Sequence, residues 1–481
     1  MIRLTQQQEI QPYLRDASQF HGNAEGVVLP EHEKEISEFL READAKKIPV
    51  TVSGGKTGLT GAAVPEGGWV LSTEKLSRIL EVHKNPQGES WARLEPGIHL
   101  KDLDRTLQPD SLFYPPDPTG PMAFLGGTLA TNASGPNSFK YGATRRYVRR
   151  IRMILAEGDT LDLRRGQIFA GPEGVLEIPI GNRKLKVPVP HYSMPSVKHA
   201  GGYFARQGMD ALDLFIGSEG TLGVTVEIEL GLLPRPREIL AFVVFFSSEE
   251  DSWRFARLAR EVRQVRMLEY FDAGSLEFLR PSTPAIPKEA RACIFVEQEI
   301  IGAQLIASSQ TEWRRLFGKE KAIVEVWEAK TSERQEEFRN FRSALPWAVK
   351  EFLAKHGRMK VGTDTCVPAD RFEELMIFHR RSVEKLGLAN LTFGHIGDSH
   401  VHLNLFPKDE EEAQKARALY PELVKKALSL GGTFSAEHGV GKLKRRYLAE
   451  FYGPQAVEEM KVVKRIFDPN FVLGRGNLFE I

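Results

Sequence analysis

The sequence predicts an α+β chain of two domains, and three observations carry that prediction. Its 481 residues exceed what one hydrophobic core holds together. Helical and strand patterns are interleaved: HEKEISEFLREADAKKI at 32–48 repeats apolar residues with helical spacing, whereas VTVEIEL at 224–230 alternates them along a strand. The segment LLPRPRE at 232–238 then separates two compositions, the second being strand, helix, strand with long charged helical segments such as SWRFARLAREVRQV. The boundary falls there, giving domains 1–234 and 235–481, with no fixed-period repeat and no low-complexity tract.

The bulk properties exclude several function classes. With 65 basic and 64 acidic residues the chain lacks the basic excess of a nucleic-acid binder. The run KLKRR at 442–446 reads as a solvated helix face. Only two cysteines occur, Cys293 and Cys366, both in apolar segments, so the chain offers neither a disulfide framework nor a cysteine-ligated iron–sulfur cluster. MIRLTQQQEI has no apolar segment and no apolar run is long enough to span a bilayer, which predicts a cytoplasmic protein and is compatible with peripheral membrane attachment.

In the first domain PVTV begins a strand that runs into SGGKTGLTG at 53–61, and WVLST continues as a second strand. This loop is not a phosphate-gripping GxxxxGK[ST] motif, because Val50 stands where the first glycine is needed. Nor is it a nicotinamide-type GxGxxG turn, since Pro65, Gly67 and Gly68 exclude the helix that would have to follow. A glycine-rich loop between strands still exposes backbone N–H groups to a close anionic ligand. Two further glycine- and turn-rich stretches, FYPPDPTGPMAFLGGTLATNASGPNSFKYGATRR at 113–146 and DLFIGSEGTLGV at 213–224, suggest one extended ligand touched at several places.

In the second domain the informative segments are GHIGDSHVHLNLF at 394–406 and GTFSAEHGVGK at 432–442. Along HVHLNLF, His400, His402 and Asn404 share one strand face while Val401, Leu403 and Leu405 share the other. With His395 and Glu437 there are enough imidazole and carboxylate groups for a divalent metal with an open position, and zinc, manganese and iron all accept such a set.

Five motifs in order, SGGKTGLTG, PPDPTG with GGTLATNASG, DLFIGSEGTLG, GHIGDSHVHLN and SAEHGVG, resemble the FAD-linked 2-hydroxy-acid dehydrogenases of the vanillyl-alcohol-oxidase type over nearly the whole chain. The resemblance implies a PCMH-type FAD-binding domain of two α+β subdomains, followed by an α+β substrate domain on an antiparallel sheet. It implies that Ser53, Gly54, Gly55, Lys56, Thr57, Gly58, Leu59 and Gly61 cradle the FAD pyrophosphate. Pro116, Asp117, Gly127, Thr131, Asn132, Ser134, Gly135, Tyr141 and Gly142 would form a second flavin contact, and Glu219, Gly220 and Gly223 a third. Lys56 stands where some members attach FAD through histidine, so FAD is expected to be non-covalent. His395, His402 and Glu437 fall on metal ligands, zinc being the first expectation, Asn404 on a substrate contact and His438 on the general base. Arg342, with Arg339 close by, resembles the arginine that holds the substrate carboxylate. The implied reaction is oxidation of a D-2-hydroxy acid or glycolate to the 2-oxo acid. The metal acidifies the hydroxyl, His438 takes its proton, and hydride leaves for flavin N5. Electrons then pass to an external acceptor such as a quinone, a cytochrome, an electron-transfer flavoprotein or an iron–sulfur subunit, and a homodimer is left open.

The chain also departs from the pattern. Ser399-His400 stands where relatives commonly carry Gly-Asn, which leaves His400 as a further ligand or a substrate contact. Gly362 stands where some dicarboxylate-oxidising relatives carry lysine, with Lys360 two places earlier, which weakens the case for 2-hydroxyglutarate. FDPNFVLGRGNLF replaces the more usual Asn-Pro-Gly-Lys ending. Two other readings stand beside this one. A metal-dependent hydrolase would lack a yellow chromophore, and a non-catalytic FAD subunit would have no need of His438 beside Glu437.

Overall fold

The computed structural model describes residues 1–85, 88–118, 120, 122–357 and 359–481. A small mixed sheet opens the chain: strands Ile2–Leu4, Gly26–Leu29, Trp69–Ser72 and Val50–Ser53 lie side by side in that order, the first pair antiparallel and the others parallel. Helix Glu33–Ala45 buries Ile36, Phe39, Leu40 and Ala43 against it, as the helical spacing of 32–48 requires. The first glycine-rich loop joins two parallel neighbours directly, as expected from the residues that forbid a helix there.

An antiparallel sheet follows, in the order Ile79–His83, Ser90–Leu94, Val224–Pro234, Val148–Ile154 and Thr160–Arg164, with Leu112–Phe113 added on Val224–Pro234. The second domain is built on eight antiparallel strands. Seven run in the order Ile323–Ala329, Glu238–Phe246, Ala292–Ile300, Val265–Phe271, Asn390–Gly394, His400–Leu405 and Val361–Gly362, and Thr365–Cys366 also pairs with His400–Leu405. Strand Glu238–Phe246 shows why its sequence is a continuous apolar run. Phe242, Val244 and Phe246 pack with Trp253, Phe255 and Trp313 on one face, while Ala241, Val243 and Phe245 pack with Leu276, Phe338 and Phe341 on the other.

Two features were not anticipated. Residues 440–481 return to the first domain: Met460, Val463, Phe467, Leu478 and Phe479 share a core with Leu129, Tyr203 and Phe215, and Val50 N–H donates to the Val472 carbonyl at 2.7 Å. KLKRR is not a solvated helix face. Lys442 and Lys444 are 6% and 7% exposed, Leu443 between them is 45% exposed, and the helix starts only at Arg445. The segment is a turn, closed by Lys444 N–H donating to the Val440 carbonyl at 3.0 Å, and it carries both lysines inward, where Lys442 Nζ donates to Asn477 Oδ1 and Lys444 Nζ to Asp364 Oδ2, each at 2.7 Å. Cys293 and Cys366 are fully buried, and burial pushes both thiols up. Among the described residues no helix is long and apolar enough to cross a membrane.

Candidate active site

The first glycine-rich loop keeps its donors free. Among the described residues no backbone N–H from Gly54 to Leu59 donates a hydrogen bond within the protein. Consecutive unpaired donors make an anion-binding concavity, the group a dinucleotide pyrophosphate needs. Gly54 faces the second stretch: a Cβ there would lie 3.8 Å from the Gly127 backbone, whereas a Cβ on Gly127 would meet nothing within 4 Å, so the two segments flank open space. Ser53 Oγ, fully buried, has no partner at the root of the loop. Thr57 and Leu59 are exposed, while Gly58 and Gly61 turn the loop toward Asp16 and Phe20. Lys56 contributes backbone alone, since its ammonium sits 4.3 Å from the centre of the Tyr13 ring. These features fit the FAD cradle. A Cβ on Gly55 would stand 2.3 Å from the Met122 carbonyl oxygen, so Gly55→Ala is expected to displace the loop and leave purified protein markedly depleted in flavin, read from its visible absorbance.

The second stretch does two jobs. Pro116 is buried and Asp117 is exposed, and the surrounding protein raises its carboxyl pKa against the pull of Arg342 and Arg266. Thr131 Oγ1 donates to the Gly127 carbonyl (3.0 Å), and Asn132, at φ 49°, accepts from Arg145 N–H (2.9 Å). Ser134 Oγ and Gly135 N–H, however, both donate to Glu437 Oε1, at 2.7 and 2.9 Å, so the stretch also seats a residue of the second domain. Gly135, at φ 128°, is packed so tightly that a Cβ would lie 2.1 Å from the Asp117 carbonyl. Tyr141 is turned away from the loop: its ring packs on Phe113 and its hydroxyl donates to Glu299, with Gly142 ending its helix. In the third stretch Glu219 accepts from Val440 N–H and Gly441 N–H, both at 2.7 Å, which fixes the far side of the 437–438 loop. Its carboxyl is pushed up to about 7 by burial. Gly220 and Gly223 pack against Val52 and the Ile154 carbonyl.

The histidine cluster assembles where these stretches meet. The ligand atoms of His395, His400, His402 and Glu437 lie within 4.8 Å of one another. His395 Nδ1 is bonded to Glu269 Oε1 (2.6 Å) and its Nε2 to Glu437 Oε2 (3.2 Å), while His402 Nδ1 meets the Thr363 carbonyl at 3.2 Å. His438 stacks on His402 with centroids 5.1 Å apart. Asn404 lies beyond them on the same strand, 2% exposed, with its amide turned back to the His402 carbonyl (2.9 Å). The strand reading of HVHLNLF therefore holds, and Val401, Leu403 and Leu405 are buried behind it.

Charges set the protonation. Burial would lower the His395 imidazolium pKa, but Glu269 and Glu437 outweigh it and hold it at about 9. Burial would raise Glu437, yet His395 and Lys198 hold it well below the usual carboxylate range. Burial, His400 and His438 keep His402 neutral, and burial lowers His400 as well. The structure also separates the two arginines. Arg342, 6% exposed, donates from Nε to Glu269 Oε2 at 3.0 Å and so belongs to the cluster, whereas Arg339 pairs with Glu297.

Four residues escaped the sequence reading: Glu269, Asp364, Lys198 and Lys444. Lys198 Nζ bonds Glu437, Ser138 (2.8 Å) and Asp398 (3.2 Å). Asp364 accepts from Glu437 N–H (3.2 Å), His438 N–H (3.0 Å), Ser435 Oγ (3.0 Å) and Lys444 Nζ (2.7 Å). Their signal was a charge inside an otherwise apolar or turn-like segment, in VRMLEYF and VGTDTCVP above all.

Residues 235–478 match the model of the FAD linked oxidases, C-terminal domain, and residues 24–164 that of an FAD binding domain. Over 97% of the chain it is 27% identical to "Glycolate oxidase subunit GlcD" of Bacillus subtilis, covering 92% of that protein. It is 29% identical to "D-lactate dehydrogenase" of Anaerostipes hadrus, with the same two coverages of 97% and 92%. The solved p-cresol methylhydroxylase with substrate bound superposes with a TM-score of 0.74 at 14% identity, covering 99% of this chain and 94% of that one, so the fold is PCMH-type.

Proposed function

Because the chain belongs to the FAD-linked oxidases and is an oxidoreductase of that family, we propose that it oxidises a D-2-hydroxy acid of the D-lactate kind, or glycolate, to the 2-oxo acid. The observation that carries this reading is the pair of hydrogen bonds from Ser134 and Gly135, in a flavin-type stretch, to Glu437 of the histidine cluster. They bring a redox cradle and a divalent-ion donor set to one point. The relatives named for D-lactate and for glycolate support the substrate class.

The donor set of His395, His402 and Glu437 suits a divalent ion, and the N–H groups of 54–59, unpaired among the described residues, suit non-covalent FAD. When bound, the ion supplies Lewis acidity at the substrate hydroxyl and FAD supplies a two-electron acceptor. The chain's own residues do the rest. His438 receives the hydroxyl proton on an imidazole that burial keeps unprotonated. Arg342, fixed by Glu269, faces the substrate carboxylate, and Asn404 orients it. The electron pair then leaves for an external acceptor.

Anaerobic addition of D-lactate, L-lactate, glycolate, D-malate and D-2-hydroxyglutarate to the flavin-loaded protein tests this directly. D-lactate or glycolate is expected to bleach the flavin band and L-lactate to leave it. Bleaching by none of the five would refute the substrate class, and a protein that cannot take up FAD would refute the reaction.

A further inference from the structure

His400 is fully buried, yet neither of its ring nitrogens makes a hydrogen bond among the described residues. A buried imidazole without partners is costly, which asks what satisfies it. Its neighbours give the answer a direction. His395 turns Nδ1 outward to the Glu269 carboxylate and His402 turns Nδ1 outward to the Thr363 carbonyl. His400 does the same with its other nitrogen: Nε2 lies 3.1 Å from Asp364 Oδ1, within ion-pair distance though off the hydrogen-bond line. Each ring thus has one nitrogen against an outer acceptor, while the other nitrogen of His395 meets the fellow donor Glu437 at 3.2 Å and that of His400 has no partner among the described residues. This is how metal-bound histidines are held, the outer acceptor fixing tautomer and orientation. The rings are also gathered, with His400 centroids 4.5 Å from His402 and 5.4 Å from His395.

We propose that His400 is a fourth protein ligand, so that the ion seated here meets three imidazoles and one carboxylate. Four protein ligands would close a tetrahedral zinc site. The substrate hydroxyl needs a further position, so this donor set favours an ion that readily accepts more than four ligands, of the Mn²⁺ or Fe²⁺ class. The inference rests on the metal-assisted reading above and narrows it.

Flavin-loaded protein, stripped with a chelator and titrated with Mn²⁺ alone, provides the test. Pulsed electron paramagnetic resonance of the wild-type protein is expected to show couplings to three imidazole nitrogens, a count that needs no variant. His400→Asn is expected to show two and to bind Mn²⁺ more weakly by at least the roughly 10–100-fold that loss of even an outer partner costs. Two imidazole couplings in the wild type, or unchanged Mn²⁺ affinity in His400→Asn beside lost affinity in His395→Ala, would overturn the fourth ligand and leave the metal site standing. A wild-type protein that takes up neither Mn²⁺, Fe²⁺ nor Zn²⁺ would overturn the metal reading itself, and the fourth ligand with it.

Discussion

His438→Ala is expected to slow anaerobic flavin reduction by the preferred 2-hydroxy acid about 10²–10⁴-fold, the range a positioned general base contributes. The argument is geometric before it is electrostatic. The ring lies parallel to His402, at 13°, and turns Nδ1 toward Asp364 Oδ2 at 3.5 Å, which leaves Nε2 for the substrate side. Burial then holds the imidazolium pKa at about 4, against the pull of Asp364. A histidine depressed in this way keeps its base form at neutral pH and loses it only as pH falls through about 4, so the wild-type rate should be flat from pH 8 to about 5 on this group's account. Because the contact to Asp364 at 3.0 Å is made by the backbone N–H, alanine preserves the loop. Flavin absorbance and metal content should therefore match the wild type, and rapid-mixing absorbance isolates the chemical step. A variant that reduces its flavin at the wild-type rate would remove His438 from the proton-transfer step.

How far the sequence revealed this site depends on the range of the physics behind each residue. The first glycine stretch was legible as a loop between strands with unpaired N–H groups because both properties are written in glycine and proline over a few neighbouring positions. The strand HVHLNLF was legible for the same reason: alternation is local, and it placed His400, His402 and Asn404 on one face as the structure does. Glu269 was not legible, because inside VRMLEYF a lone glutamate acquires meaning only when His395 and Arg342, more than seventy residues later, arrive at its two oxygens. Lys442 and Lys444 were misread for a related reason. A run of cations looks solvated until buried acceptors from distant segments, Asn477 and Asp364, are brought against alternate members. The boundary near 234 has the same blind spot, since nothing in the composition of 440–481 announces that Phe467 and Phe479 will close the core of the first domain.

Asp364→Ala is expected to cost roughly 3–5 kcal/mol of stability, the usual consequence of removing one partner of a buried ion pair. Asp364 is fully buried, and Lys444, its partner at 2.7 Å, is 7% exposed. Its loss would strand the ammonium together with the Glu437 and His438 N–H groups. Burial alone would raise the Asp364 carboxyl, but His438, the Lys444 ammonium and the bond to His400 outweigh it and hold the pKa well below the ordinary value. For an acid depressed in this way the stabilisation is present above the unfolded pKa of about 3.9 and is lost as pH falls through the folded value, so the variant and the wild type should converge in stability under acid. The denaturation midpoint measures the loss, and a double variant, Asp364→Asn with Lys444→Met, separates its causes. With neither charge left to strand, most of the stability should return. Flavin reduction should not, because the carboxylate that faces His438 Nδ1 and His400 Nε2 is still missing. If the double variant regains both, Asp364 serves the fold alone; if the single variant unfolds no more readily than the wild type, the carboxylate is not what ties the 437–438 loop to the sheet.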